Sequence, residues 1–172
     1  MGNLLFWTLL LLSAYSYFLY PLLLHGLLVY RTGRSDGLQE YAAEPPAVSL
    51  IITAYNEAER IRSKLDNTLA TIYPRDQLEI IVASDCSSDA TDLLVGEYAN
   101  QEVRLVRAGE RLGKEHAQQC AVQAARGEIL VFSDVATQIP PEAIGKLVAI
   151  FADPQVGAVS SEDRFSSVRM VG

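Results

Sequence analysis

The first thirty residues contain no Asp, Glu, Lys or Arg, so the formal net charge of -7 is carried wholly by the residues after Tyr30. An acidic remainder excludes a nucleic-acid surface, which needs clustered Lys and Arg to meet phosphates. Cysteine is scarce. Cys86 and Cys120 lack paired spacing and neighbouring histidines, which excludes a disulfide framework and a zinc site and leaves two reduced thiols. Two phosphate motifs are missing as well. No Gly-x-Gly-x-x-Gly follows the first strand-like run, and Gly109-Glu-Arg-Leu-Gly113-Lys114-Glu115 has neither the spacing nor the final Ser/Thr of a P-loop.

What stands in place of charge is a long apolar run. From Leu4 to Val29 the chain is dominated by Leu, Phe, Tyr, Trp, Ala and Val, more than the roughly 20 residues that span a bilayer core. A cleaved signal peptide would carry a basic start, a shorter apolar core and a small-residue cleavage site, and none of these stands out. Arg31 and Arg34 follow the run while no basic side chain precedes it, which predicts an outward N-terminus and a cytoplasmic remainder. Trp7 and Tyr30 suit the two aromatic belts, Pro21 predicts a kink, and His25 lies near enough to the cytoplasmic end to reach interfacial water. The expected organisation is a transmembrane anchor over 1–30, a Gly/Ser/Glu/Pro-containing linker over 31–46, and an α/β domain over 47–172.

Strand-like and helix-like stretches alternate through that domain. Val48–Thr53 is an uncharged β-branched run, as in a strand buried on both faces of a parallel sheet. Ile61, Leu65, Leu69 and Ile72 recur at helical spacing until Tyr73-Pro74 ends the helix. A strand over Leu78–Ser84, a helix over Asp89–Tyr98, a strand over Val103–Arg107, a helix over Lys114–Ala125 and a strand over Glu128–Ser133 come next. Pro140-Pro141 opens a helix with Ile144, Leu147, Val148 and Phe151 on one face, and Val156–Ser160 is expected to make a fifth strand. Such alternation predicts a doubly wound, mostly parallel sheet that binds ligands beyond the carboxyl ends of its strands.

The polar clusters fall at those ends: Tyr55-Asn56-Glu57 after the first strand, Asp85 after the second and Asp134 after the fourth. A carboxylate there can accept from ribose hydroxyls or a base N–H, or ligate a divalent ion that neutralises a diphosphate. Tyr55 can stack on a base. Any one loop carboxylate is as readily a solvated group or a helix cap, whereas three at equivalent positions point to one crevice. Gly113-Lys114 precedes a helix, where a cationic side chain and the helix N-terminus can meet phosphate. His116 and Cys120 are read as packing or surface residues, since no nucleophile–base pair is evident.

Four segments in this order resemble the family 2 glycosyltransferases with a GT-A fold: Val48-Ser-Leu-Ile-Ile-Thr-Ala-Tyr-Asn-Glu57, Glu79-Ile-Ile-Val-Ala-Ser-Asp-Cys-Ser-Ser-Asp-Ala-Thr91, Gly113-Lys114, and Ala125-Arg-Gly-Glu-Ile-Leu-Val-Phe-Ser-Asp134. The resemblance implies that Ala54, Tyr55, Glu57 and Asp85 hold the nucleoside of a UDP-sugar. It implies that Lys114 lies near the diphosphate, and that Asp134 is the first carboxylate of an Asp-x-Asp motif serving the ribose and a Mg2+ or Mn2+ ion. Here the motif reads Asp134-Val-Ala136, so its second carboxylate is absent. The family's general base, acceptor-binding half and further membrane helices are expected beyond the region covered, with Asp163 of the late pair Glu162-Asp163 the one local candidate for a base. A fragment or an early-terminated protein, with a donor site but without the full catalytic machinery, is therefore expected.

The function expected is inverting sugar transfer to a saccharide or lipid-linked acceptor, in polysaccharide or glycolipid synthesis at a membrane. The alternative is a truncated module that holds nucleotide without turnover, and product formation separates the two. A sugar-nucleotide-forming nucleotidyltransferase is disfavoured, because Thr53-Ala-Tyr-Asn-Glu57 is not a glycine-rich basic loop.

Overall fold

A computed structural model describes residues 2–32 and 44–161, in two compact units that divide at residue 38. Most of the expected linker, and all of Glu162 and Asp163, lie outside the described residues. The described residues of the N-terminal unit are helical: α1 (Gly2–Ala14), a π-helical turn over Tyr15–Leu19, and α2 (Tyr20–Thr32). Residues Asn3–Leu27 are long and apolar enough to cross a bilayer. Their large apolar side chains, from Leu4 to Leu27, are exposed on every side of the helix, so no single face is set apart for a protein core. Near Pro21 the helix adjusts by widening. Pro21 has no N–H to donate and its ring crowds the preceding turn, and just ahead of it the Tyr20 N–H bonds to the Tyr15 carbonyl five residues back.

The second unit is built on β1 (Val48–Ala54), β2 (Leu78–Ser84), β3 (Val103–Arg107) and β4 (Ile129–Asp134), all parallel and in the order β3-β2-β1-β4. Its helices are α3 (Ile61–Leu69), α4 (Thr91–Gly96), α5 (Lys114–Ala124) and α6 (Ala143–Ile150). Alternate residues of β1 face opposite ways. Val48, Leu50, Ile52 and Ala54 pack with Ile61 and Leu65 of α3, Val95 of α4, and Ile144 and Val148 of α6. Ile51, with Ile81 and Ala83 of β2, meets Ala117 and Ala121 of α5 on the other face. Each large aliphatic side chain so buried contributes about 1.5–3 kcal/mol, which explains why the two central strands carry no charge at their fully buried positions.

Three sequence expectations change. Val156–Ser160 forms no strand; it lines a concavity of about 940 Å³ beside β4, α6 and Pro46. The run is apolar enough for a strand but makes no ladder with β4, whose pairing is with β1. Helix α3 stops before Ile72, whose side chain is exposed and whose N–H bonds to the Pro141 carbonyl at 2.7 Å; the following Tyr73-Pro74 disfavours continued helix. Helix α4 is shorter than the run from Asp89 to Tyr98, because Asp89 accepts from the Thr91 N–H at 2.9 Å and so lies outside the helix as a turn residue.

At the amino ends of the strands the chain comes very close to itself. A Cβ on Gly127 would stand 2.3 Å from the Ser49 backbone nitrogen and 2.6 Å from the Val48 carbonyl carbon. Neither is a group that can swing away. The Gly127 N–H also bonds to Ser49 Oγ, which in turn donates to Glu79 at 2.7 Å. Gly127→Ala is expected to destabilise the fold by about 3 kcal/mol, read as a lowered melting temperature by circular dichroism; an unchanged melting temperature would show that β1 and the loop before β4 can separate freely.

Candidate nucleotide-binding site

The strand order reverses once. From β1 the chain winds outward through α3 to β2 and through α4 to β3, then returns across the other face through α5 to β4 on the far side of β1. Crossovers leaving on opposite faces leave a crevice at the carboxyl ends of β1 and β4. A cleft of about 320 Å³ lies there, lined by Thr53, Ala54, Tyr55, Glu57, Asp85, Lys114, Asp134, Val135 and Ala136. All six side chains expected in the donor site are therefore brought together. Asn56 is not among them.

Asn56 has a different task. It adopts φ 53°, a left-handed conformation that Asn tolerates better than most residues, and its Oδ1 accepts from the Ser88 N–H at 2.8 Å. Its own N–H donates to Ser87 Oγ at 3.2 Å, the Glu57 N–H to Thr91 Oγ1 at 2.8 Å, and the Ala58 N–H to Asp89 Oδ2 at 3.1 Å. The Ser-Ser-Asp-Ala-Thr stretch after β2 thus clamps the loop after β1. Only Asp85 at its head faces the cleft.

Asp85 is 5% exposed, and its Oδ1 accepts from the Gly113 N–H at 3.2 Å. Gly113 has φ 99°, a region where an L side chain is strained, and it forms the turn into α5. The turn makes Lys114 the first residue of the helix. Its ammonium reaches Asp134 Oδ1 at 2.6 Å, with both side chains about half exposed. Such a solvated pair contributes about 0–1 kcal/mol, so exchanging it for contacts to a phosphate or a cation costs little.

Two residues that sequence reasoning passed over join the site. The Arg111 guanidinium lies 4.0 Å from the centroid of the Tyr55 ring, a cation–π contact that adds a second cation to the mouth of the cleft. Its signal was the basic pair Arg111-Leu-Gly-Lys114, one helical lead-in with two positive charges. Lys64 lies beneath the cleft with no solvent exposure; its Nζ donates to Ser133 Oγ at 2.7 Å and to the Thr137 carbonyl at 2.6 Å. It was visible as the one charged residue on the inner stripe Ile61–Leu65–Leu69. His116 and Cys120, four residues apart on α5, stand 3.9 Å from each other outside the cleft.

Of the three carboxylates in the cleft, Asp134 is the one that the family resemblance assigns to a divalent cation. Among the described residues no three His, Cys, Asp or Glu side chains cluster as a metal site, and Ala136 offers no side-chain oxygen. Ions such as Mg2+ are commonly held by one or two carboxylates plus substrate phosphates. The half-exposed Asp134, at the cleft wall, fits that minimal set.

Burial pushes the Lys64 ammonium down from 10.5 to about 8, against the opposing attraction of Asp134. Below pH 8 folded and unfolded chains both hold the proton, and the cost of burying it is fully present. Between about pH 8 and 10.5 the folded chain releases a proton that the unfolded chain keeps, so stability rises with pH across that window. Melting at about pH 7.5 and about pH 9.5 is expected to favour the native chain at the higher pH relative to Lys64→Met. Parallel shifts in both proteins would contradict that reading.

Comparison with known proteins identifies the family and the fold. A sequence profile of glycosyl transferase family 2 matches residues 49–168. Hyaluronan synthase of Streptococcus pyogenes is 30% identical over 151 residues, covering 83% of this chain and 36% of that protein. A mannosyltransferase from Pyrobaculum calidifontis, solved with GDP-Man and Mn2+, superposes with a TM-score of 0.72 at 35% identity over 90% of this chain and 46% of its own. TarS from S. aureus, solved with UDP-GlcNAc, gives a TM-score of 0.56 at 25% identity over 62% of this chain and 31% of its own. The chain thus spans between about a third and a half of these relatives' lengths. With the matched profile covering most of the chain and the cleft at the reversal of its parallel sheet, this protein belongs to glycosyl transferase family 2.

Proposed function

We propose that the protein transfers a sugar from a nucleoside-diphosphate sugar, with UDP as the carrier, to a saccharide or lipid-linked acceptor at a membrane. The observation that carries the reading is the convergence of Tyr55, Asp85, Lys114 and Asp134 on one cleft at the strand reversal. Tyr55 offers a ring to stack on the base. Asp85, buried at the cleft floor, is placed to accept from a base N–H. Lys114 and the amino end of α5 attract the diphosphate, and Asp134 accepts from ribose hydroxyls and ligates the cation. A bound Mg2+ or Mn2+ supplies positive charge that neutralises the leaving diphosphate.

In the transfer an acceptor hydroxyl attacks the anomeric carbon, the bond from that carbon to the phosphate oxygen breaks, and the configuration inverts. The hydroxyl proton passes to a carboxylate base. Glu57, Asp85 and Asp134 are the carboxylates of the described cleft, and we assign all three to the donor. Asp163 remains the local candidate for the base. The names of two relatives, a hyaluronan synthase and a succinoglycan biosynthesis protein, support polysaccharide synthesis as the setting. The apolar helix Asn3–Leu27 supports a membrane anchor, and Arg31 and Arg34 after it support a cytoplasmic catalytic unit with the N-terminus outside.

Calorimetry on the full chain in detergent micelles tests the donor site. UDP with Mn2+ is expected to bind, and Asp85→Ala and Asp134→Ala each to weaken it about tenfold or more. Omitting the cation should weaken native binding but add little to the loss in Asp134→Ala. Preference for GDP over UDP would retain the site and change the base. No binding of either by a folded chain, or binding indifferent to both substitutions, would sink the proposal.

The Arg111 contact makes a separate prediction. Arg111→Ala is expected to weaken UDP binding about three- to tenfold, through a lost contact worth about 1 kcal/mol, with no loss of melting temperature because the side chain is exposed.

A further inference from the structure

A buried ammonium is an expensive group to place in a core. Lys64 sits on the inner face of α3 among Ile61, Leu65 and Thr68, none of them exposed. Among the described residues no carboxylate forms an ion pair with it; its recorded partners are a hydroxyl and a carbonyl. A methionine would fill similar space without desolvating a charge. What lysine supplies that methionine does not is a cross-link. One bond ends on Ser133, the last residue of β4 before Asp134, and the other on Thr137, the first residue past the Asp134-Val-Ala136 motif.

The bonds therefore bracket the segment that carries Asp134. Asn67, one helical turn on, continues the attachment by donating to the Ile139 carbonyl at 3.0 Å and accepting from the Ile139 N–H at 2.8 Å. The backbone of Asp134 pairs with Thr53 of β1 and accepts from the Thr137 N–H at 3.1 Å, but its carboxylate has little else to hold it. Its side chain is half exposed, and its recorded partner is the solvated ammonium of Lys114. With Ala136 in place of a second carboxylate, the placement of that one acid matters more.

We propose that Lys64 is the positioning residue of the donor site: from inside the core it pins both ends of the 134–136 turn, so that Asp134 is held at the cleft wall in binding geometry. The proposal rests on the donor-site reading above. Lys64 touches no ligand and acts through Asp134. Removing such a supporting group commonly costs about ten- to a hundredfold in affinity.

The test is UDP binding with Mn2+ by calorimetry on the full chain in detergent micelles, for the native protein, Lys64→Met, Asp134→Asn and the double variant. Ile61→Val, on the same inner face but remote from the turn's hydrogen bonds, controls for destabilisation alone. Lys64→Met is expected to weaken binding about tenfold or more in the native background and less than about twofold in Asp134→Asn, because the residue works through that carboxylate. Ile61→Val is expected to bind like the native chain. Should Lys64→Met fail to fold, Ser133→Ala removes one anchor while leaving α3 intact, and is expected to weaken UDP binding about two- to fivefold.

Equal losses in both backgrounds, an equal loss in Ile61→Val, or native-like binding by folded Lys64→Met or by Ser133→Ala would overturn the proposal while leaving the donor site standing. A native chain that binds neither UDP nor GDP would overturn both.

Discussion

Between β1 and β4 the chain leaves the sheet in opposite directions, to α3 on one face and from α5 on the other, so no crossover covers their carboxyl ends. That open space is the one place where loop side chains from three strands can meet without a helix between them. Asp85 enters from β2, Tyr55 and Glu57 from β1, Asp134 from β4, and Lys114 from the start of α5. The rest of the unit serves to keep the crevice in shape. The two apolar layers hold β1 rigidly at the centre, and Gly127 lets the amino end of β4 lie against it.

Polar residues around the cleft divide into those that face it and those that hold the first group in place. Ser87, Asp89 and Thr91 accept from backbone N–H groups of the loop after β1 and Ser88 donates its N–H to the Asn56 side chain there, while Lys64 and Asn67 bind both sides of the turn after β4. Backbone groups in such loops lack ladder partners and must find others when shielded from water. Supplying those partners from a neighbouring helix or loop satisfies them and fixes the geometry at once. The charges facing the cleft can then remain exposed and weakly paired, as Lys114 and Asp134 are, without the loops that bear them being loose.

Much of this was legible in the chain. Four parallel strands and four flanking helices follow from alternation of period, and Tyr55, Glu57, Asp85, Lys114 and Asp134 from polar residues placed at strand and helix ends, whereas Ala54 came with the family resemblance. β2 and β3 occur at their expected bounds, since a short β-branched run flanked by turn residues has few alternatives. Other features were not legible. The Ser-Ser-Asp-Ala-Thr stretch stood in the sequence only as part of the family pattern, and nothing local showed that it holds the loop after β1. Val156–Ser160 has a strand's composition without a strand's partner. Ile72 continued the helical spacing yet gave its N–H to a residue far along the chain.

The sequence by itself determined the four paired strands and the four helices around them, the apolar N-terminal helix and the polar residues at the strand ends, because periodicity and local charge are properties of neighbours in the chain. Only the tertiary structure decided which of those polar residues face the cleft and which brace it, because that depends on hydrogen bonds between residues tens of positions apart. Lys64 is the clearest case: alone it is a lysine on an otherwise apolar stripe, and it acquires a role only where β4 brings Ser133 and Thr137 within reach of its ammonium.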